Sequence, residues 1–474
     1  MVDAAVLGAA RVDRSAPVRG LPFWILTGVL VFSPLPLASV APVWPALYGV
    51  LLAFAIWLYL LQRWRLRRAI PLPPLAVVAA SGLLLGVTLW GFVQSLPGVA
   101  PGWQHPVWAQ TATLLEMPEL EGALSLVPER SVEVATHYLT YLAFAWLAFW
   151  CSRRGRNQDL LLKVFIATQA AYAAYGLVVY FAGTETILWF DKDAYLGVLT
   201  STFINRNSYA TYAGLGTLAA LALILRYLRR LLMSDSDGDS DARSRLRDFV
   251  ETFTVSGWPV AMAVLLCFLA LLLTESRMGL IAFLAGVAVL LLGWSLRLPA
   301  GRPRAVGLGL VSLPLALLAL NLFLSGDQTA ARFEYLFERG DGRFEVYPLI
   351  QQAIAERPWT GYGLGSFESA FSLFRDETVP FLYRRAHSDY LELAMEIGWP
   401  ATLVLVGAFV LMLVSALMAA IQRQEFELAL LFVAATVQIG LHSLVDFSMQ
   451  MPAVVFAYLL LAGLAFGSSA RTRV

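Results

Sequence analysis

The stretch GWPVAMAVLLCFLALLLTESRMGLIAFLAGVAVLLLGWSL (Gly257–Leu296) holds two apolar runs, 257–274 and 279–296, parted by a turn that carries Glu275 and Arg277. A helix rises ~1.5 Å per residue and must cross a hydrocarbon core of ~30 Å, so about 20 mostly apolar residues make one span. The pair therefore reads as a transmembrane hairpin whose short turn keeps two helix ends at the water interface. Ten further stretches qualify by the same measure, approximately 21–38, 44–62, 73–94, 134–151, 159–182, 207–226, 305–325, 398–421, 427–445 and 450–468. The expected fold class is all-α, a polytopic membrane protein with about 12 transmembrane helices. The first span, with Pro22, Pro34 and Pro36, is the least regular of them.

Composition points the same way. Of 474 residues 59% are hydrophobic and 14% charged, and the mean hydropathy is +0.68. A soluble domain carries ~45–50% apolar and ~25% charged residues, so one water-facing globule could not hide this much apolar surface. A net charge of +1 supplies no basic face for nucleic acid, and none is expected as a partner. The two cysteines, Cys151 and Cys267, sit apart in apolar runs, which argues against a disulfide framework or a cysteine zinc site. Arg11, Arg14 and Arg19 precede the first span, which reads as a signal anchor because another full-length span follows at once.

Orientation follows from where lysine and arginine fall. They concentrate in the N-terminal tail, the 63–68, 153–156, 226–247 and 297–304 loops, at Arg423 and in the C-terminal tail. The opposite short loops hold only Arg130, Lys192, Arg206 and Arg277. Both termini are therefore expected in the cytoplasm and the long segment 326–397 outside. The chain divides into spans 1–9 over residues 1–325, an external helical loop domain over 326–397, and spans 10–12 over 398–474. Loop 95–133 carries five glutamates against Arg130 alone and reads as a lid or spacer. The run Ser234–Asp241 is an acidic linker, because its glycine is misplaced for a calcium loop and Leu246 stands where a bidentate Glu is needed.

Chemistry is expected at the external end. The spans are nearly free of ionisable residues, whereas an ion-coupled transporter places carboxylates near the midplane. Arg206 precedes the sixth span, Arg277 sits in the hairpin turn, Arg343 begins an amphipathic stretch that Pro358 ends, and Arg384 and Arg385 precede His387. A guanidinium stays charged and grips phosphate with two parallel hydrogen bonds, so arginines converging on one cavity would suit a pyrophosphate. Each could equally be a headgroup anchor or a rim salt bridge. In AHSDYLELAMEIG (Ala386–Gly398), Ser388 or Asp389 is a good N-cap, Glu392 resembles a capping-box residue, and Gly398 marks a break before the next span. That puts His387 at a helix N-terminus beside two arginines, which disfavours imidazolium and leaves a neutral ring able to act as a general base. His442 and Asp446, four apart, read as a base with its orienter or, in preference, as a structural hydrogen-bonded pair at a helix end, and Gly361–Gly365 as a tight turn rather than a nucleotide loop. No metal-ligand spacing occurs, so no metal or cofactor is expected.

Three blocks together resemble the O-antigen ligase and polymerase superfamily of bacterial envelope glycosyltransferases, over about Arg206 to Ala401. They are Phe203–Ala210 before a span, Ser276-Arg277 between two spans, and the long loop with Arg343, Pro358–Gly365 and His387-Ser388. Ala401 stands where the ligase pattern has Gly, Thr or Tyr. The resemblance implies a GT-C type fold in the bacterial inner membrane and a metal-independent, inverting transfer on the periplasmic side. The donor it implies is a glycan on undecaprenyl pyrophosphate, and the acceptor is lipid A core or a growing polysaccharide. By motif position His387 matches the histidine that activates the acceptor hydroxyl, and Arg206 and Arg277 match arginines that bind the pyrophosphate. Arg343, Arg384 and Arg385 fall in less specific positions. The rival reading is a polytopic transporter or flippase for lipid-linked glycans, in which the arginines select anionic headgroups without bond making.

Overall fold

A computed structural model describes residues 20–233, 254, 257–301, 303–317, 319–320, 343–377, 379 and 382–467. The expected N-terminal arginines, the acidic linker 234–241 and the first part of the external segment lie outside the described residues. The regular structure among the described residues is helical apart from an antiparallel hairpin of two-residue strands, β1 (Thr186–Ile187) with β2 (Phe190–Asp191). The helices are α1 (Leu21–Phe32), α2 (Val43–Arg65), α3 (Leu75–Ser95), α4 (Pro106–Leu114), α5 (Pro128–Ser152), α6 (Gly155–Phe181) and α7 (Arg206–Met233). After these come α8 (Trp258–Leu273), α9 (Arg277–Arg297), α10 (Pro303–Leu317), α11 (Arg343–Glu356), α12 (Phe367–Phe371), α13 (Asp389–Gln422), α14 (Glu427–His442) and α15 (Pro452–Gly467).

Seven of these, α2, α3, α5, α6, α7, α9 and α13, are long and apolar enough to cross a membrane. Another five, α1, α8, α10, α14 and α15, are apolar but shorter. Each stretch expected from hydropathy holds one of these helices. The shortening has local causes. In the first span Pro34 and Pro36 end α1 at Phe32, and the chain continues through a tight turn with Leu37, Ala38 and Ser39 at positive φ.

Helices α7 and α15 form the centre. Nearly every residue of α15 is buried, as are most of α7, because both are apolar or small on all sides. The close approach of α15 to α5 rests on small residues, since a Cβ added at Gly463 would lie 2.7 Å from that of Ala148. By contrast α2, α3 and α13 turn rows of Leu, Val and Phe outward, such as Val50, Leu89 and Val410, as lipid-facing helices do. At one end of the bundle the basic loops lock together: Arg226 pairs with Asp159 and Glu425, Arg229 with Glu427, and Arg297 donates to the Arg423 carbonyl. Arg206, Arg277 and His387 sit at the opposite end.

The described stretch before the span of α13 has an apolar core of its own, built from Val346, Ile350, Tyr362, Phe367, Phe371 and Met395. Met395 belongs to α13, which continues beyond it. At Gly398 (φ 75°, ψ 163°) the helix breaks and restarts in the span, ahead of Pro400. Gly361 and Gly363 pack against that break. The N–H groups of Tyr362 and Gly363 donate to the carbonyls of Met395 and Glu396, and Gln94 of α3 donates to the carbonyls of Thr360 and Glu396. The tight turn expected at 361–365 is thus a seam that joins the external segment to α3 and α13. Loop 95–133 contributes the floor of that seam, with Ser131 Oγ donating to the Leu364 carbonyl.

Candidate functional site

Two helices begin side by side at the end opposite the basic loops. Arg206 is the first residue of α7 and Arg277 the first of α9. Polar side chains just ahead of each helix supply the caps: Asn205 Oδ1 accepts from the Asn207 N–H at 2.7 Å, and Ser276 Oγ from the Gly279 N–H at 3.3 Å. A Cβ added at Gly279 would lie 2.8 Å from the Ala210 Cβ, so the first turns of the two helices touch. Arg206 Nη1 stands 3.9 Å from Glu275 Oε2 in the hairpin turn, and its guanidinium lies 5.8 Å from the Tyr195 ring centre. Arg277 is exposed. Two guanidinium groups and two helix N-termini, each worth roughly half a positive charge, make this corner strongly receptive to anions.

His387 stands at the start of α13, where Ser388 is the N-cap and its Oγ accepts from the Leu391 N–H at 3.5 Å. Its backbone is held in the left-handed region, φ 52°, by the Tyr347 hydroxyl of α11, which donates to the His387 carbonyl at 2.8 Å. The ring sits edge-on to Phe447 at 5.1 Å and to Tyr383 at 6.4 Å. One partner was not expected from the sequence. Asp446 Oδ1 lies 3.7 Å from His387 Nδ1, an ion-pair distance beyond hydrogen-bond reach, and that nitrogen is buried with no hydrogen-bond partner. The Asp389 N–H of α13 donates to the carbonyls of Ser443 and Asp446, which brings the two side chains together.

Asp446 is nearly fully buried and is tied in turn to α7. Ser448 Oγ donates to Asp446 Oδ2 at 3.2 Å, Ser448 Oγ lies 2.9 Å from Thr211 Oγ1, and Thr211 Oγ1 lies 2.5 Å from His442 Nδ1. Thr211 is ~7.5 Å along α7 from Arg206 at ~1.5 Å per residue. The His387–Asp446 pair and the arginine corner therefore share one end of α7. His442, read from the sequence as the partner of Asp446 at helical spacing, is connected to it through Thr211 and Ser448.

The remaining arginines behave differently. Arg385 pairs with Glu392 at 3.0 Å, and Glu392 also accepts from the Ala386 N–H at 2.8 Å. Glu392 thus reaches back beyond the N-cap and staples the 384–387 loop to α13. Burial works to lower the pKa of Arg385, but Glu392, helped by Glu396 and Asp389, outweighs it and holds the guanidinium above its ordinary value. Arg384 is 80% exposed at the rim, 4.0 Å from Glu368. Arg343 is the first residue of α11, and its side chain lies outside the described residues. Buried carboxylates on the first turns of α13 are engaged too: Asp389 accepts from Ser443 at 2.7 Å and Glu396 from the Phe367 N–H at 3.1 Å.

A cavity of about 540 Å³ runs beside these turns, between α3, α5, α13, α14 and α15. Arg385, Asp389, Glu392 and Glu396 line one end of it, and the rest is mainly apolar, with Tyr138, Leu405, Phe409 and Phe466. His387, Arg206 and Arg277 do not line it. They occupy the other side of the α13 start, above α7.

Residues 262–406 match the family model described as O-antigen ligase. No curated protein matches the chain. The match is a likeness of that stretch to the O-antigen ligase and polymerase superfamily, and it accords with the several apolar helices of the chain. It takes in Arg277, Arg343, Arg384, Arg385 and His387, whereas Arg206 and Asp446 lie outside the matched range.

Proposed function

We propose that the chain is an inner-membrane glycosyltransferase that moves a glycan from undecaprenyl pyrophosphate to an acceptor hydroxyl on the periplasmic side, as an O-antigen ligase or a polysaccharide polymerase. The reading extends the O-antigen ligase match to a GT-C type plan of about 12 spans with both termini in the cytoplasm. The observation that carries it is the His387–Asp446 pair at 3.7 Å, set at the same end of α7 as Arg206.

In this mechanism Asp446 closes from 3.7 Å onto Nδ1 to accept the ring proton, which leaves Nε2 bare to accept the acceptor hydroxyl's proton. The hydroxyl oxygen attacks the anomeric carbon as its O–H bond breaks toward Nε2. The glycosyl–phosphate bond breaks, and the electron pair leaves on undecaprenyl pyrophosphate. Arg206, Arg277 and the paired helix N-termini stabilise that charge, the task a divalent ion performs elsewhere. The pyrophosphate is already a good leaving group, so orientation, proton removal and charge stabilisation are what the protein must add. Arg385 acts through Glu392 to fix the loop that carries His387, Arg384 at the rim is placed to meet incoming substrate, and Arg343 is a further candidate for the donor. The adjoining apolar cavity offers room for the hydrocarbon chain of a lipid-borne substrate.

Changing Arg277 to Ala removes one charge-assisted contact to phosphate, worth about 1.5–3 kcal/mol. The expected result is a fall of roughly 10- to 100-fold in kcat/KM for the lipid-linked donor. Steady-state kinetics at varied donor concentration check it; unchanged donor dependence would make Arg277 an interface anchor.

A further inference from the structure

The chain Asp446–Ser448–Thr211–His442 has only one consistent direction of donation. Asp446 has only acceptor atoms when ionised, so the single Ser448 proton is committed to Oδ2 at 3.2 Å. Ser448 Oγ must then accept from Thr211 at 2.9 Å, which commits the single Thr211 proton. The competing acceptor for that proton, the Asn207 carbonyl, is 3.4 Å away. With its proton spent on Ser448, Thr211 Oγ1 must accept across the 2.5 Å contact, so His442 Nδ1 must be the donor. All four residues are buried to 1% exposure or less, so water does not compete for these protons.

We infer that His442 is a positioning residue for His387: its Nδ1–H starts a line of donors that ends on Asp446 Oδ2 and leaves Oδ1 turned to the His387 ring. It joins two regions far apart in the chain, α7 through Thr211 and the turn between α14 and α15 through His442, Asp446 and Ser448. Gln438, one turn before His442, donates to the Thr211 carbonyl at 3.0 Å and keeps α14 in register with α7. His442 touches no substrate in this account. Its role is to fix which carboxylate oxygen faces the His387 ring, and so which nitrogen of His387 carries the proton. The inference rests on the proposed role of His387, but it makes a claim about the resting protein that needs no turnover.

The chain has only four histidines, His105, His137, His387 and His442, so ring-¹⁵N NMR of the histidine-labelled full chain in lipid nanodiscs at pH 8 can resolve them. His387→Asn assigns the His387 signals. In the wild-type protein His387 is expected to carry its proton on Nδ1. His442→Leu and Ser448→Ala each break the line and are expected to lose that Nδ1–H signal to a mixture with the Nε2–H form. His442→Asn, whose amide places a donor where Nδ1 stood, is expected to restore it. Ser448→Ala removes only one hydroxyl, so it decides the matter if His442→Leu does not fold. A His387 tautomer that is the same in wild type, His442→Leu and Ser448→Ala overturns the inference, as does a wild-type His387 bare at Nδ1. Absence of glycan transfer by the wild-type protein would count against the proposed reaction and leave the tautomer result readable.

Discussion

Replacing His387 with Ala lowers kcat for glycan transfer by roughly 10²- to 10⁴-fold, the range lost when a positioned general base is removed. The fold is expected to survive, because the imidazole is 21% exposed and makes no hydrogen bond of its own, while the contact that holds this residue, from Tyr347, goes to its backbone carbonyl. The left-handed backbone at His387 will cost the alanine variant something, since a short polar side chain tolerates that region better than a methyl. His387→Asn separates the two effects. Asn is at home at positive φ and has no basic nitrogen, so it should match the thermal stability of the wild-type protein and still lose transfer. The check is kcat for both variants alongside thermal unfolding of the purified protein. Activity within a few-fold of wild type in His387→Asn would remove the imidazole from the chemistry.

Gly361→Ala is expected to be the most damaging single-methyl change in the described chain. Gly361 has φ 64°, and an added Cβ would stand 2.3 Å from the Glu396 carbonyl oxygen and 2.4 Å from its carbon. Both are backbone atoms at the break between the two halves of α13, so neither can swing aside. Left-handed strain of about 1–3 kcal/mol and overpacking of about 1–3 kcal/mol act together, for a loss of roughly 2–6 kcal/mol. The damage should spread to the site, because the same seam positions the start of α13 and with it His387. Gly82→Ala is the matched control: Gly82 is helical, meets nothing within 4 Å of an added Cβ, and should leave stability unchanged or slightly raised. Thermal unfolding of both variants in one detergent checks the contrast, and a Gly361→Ala protein as stable as Gly82→Ala would show that the seam is not tight.

The parts legible in the sequence are those governed by local pattern. Runs of apolar residues located the helices, the prolines at 34 and 36 marked the first span as the least regular, and Ser388 announced the start of the helix that presents His387. The glycines at 361–365 read as a turn, and they are one. What they turn against, the Gly398 break and Gln94 of α3, depends on contacts between residues hundreds of positions apart in one case, and no local pattern encodes them. The contact of Asp446 with His387 escaped local pattern for the same reason. Helical spacing linked Asp446 to His442, four residues before it, whereas α14 ends at His442 and the chain then turns to bring the carboxylate to His387, 59 residues earlier. The signal that could have found it was the cost of burial: a carboxylate between two apolar spans needs a partner, and His387 was the ionisable ring without one. Arg385, read from the sequence as either a phosphate grip or a salt bridge, is paired with Glu392, the residue that the capping pattern had already marked as reaching back toward the N-terminus of its helix.

The most direct measurement is the mass of the products formed when the purified chain, reconstituted in liposomes, is given a defined glycan on undecaprenyl pyrophosphate together with a glycan acceptor. The account predicts a new product heavier than the acceptor by the transferred glycan, an equal amount of free undecaprenyl pyrophosphate, and neither with His387→Asn. A ladder of products would mark a polymerase and a single addition a ligase. Lipid-linked glycan that crosses the bilayer with its mass unchanged and no pyrophosphate released would contradict it, and would make the chain a transporter.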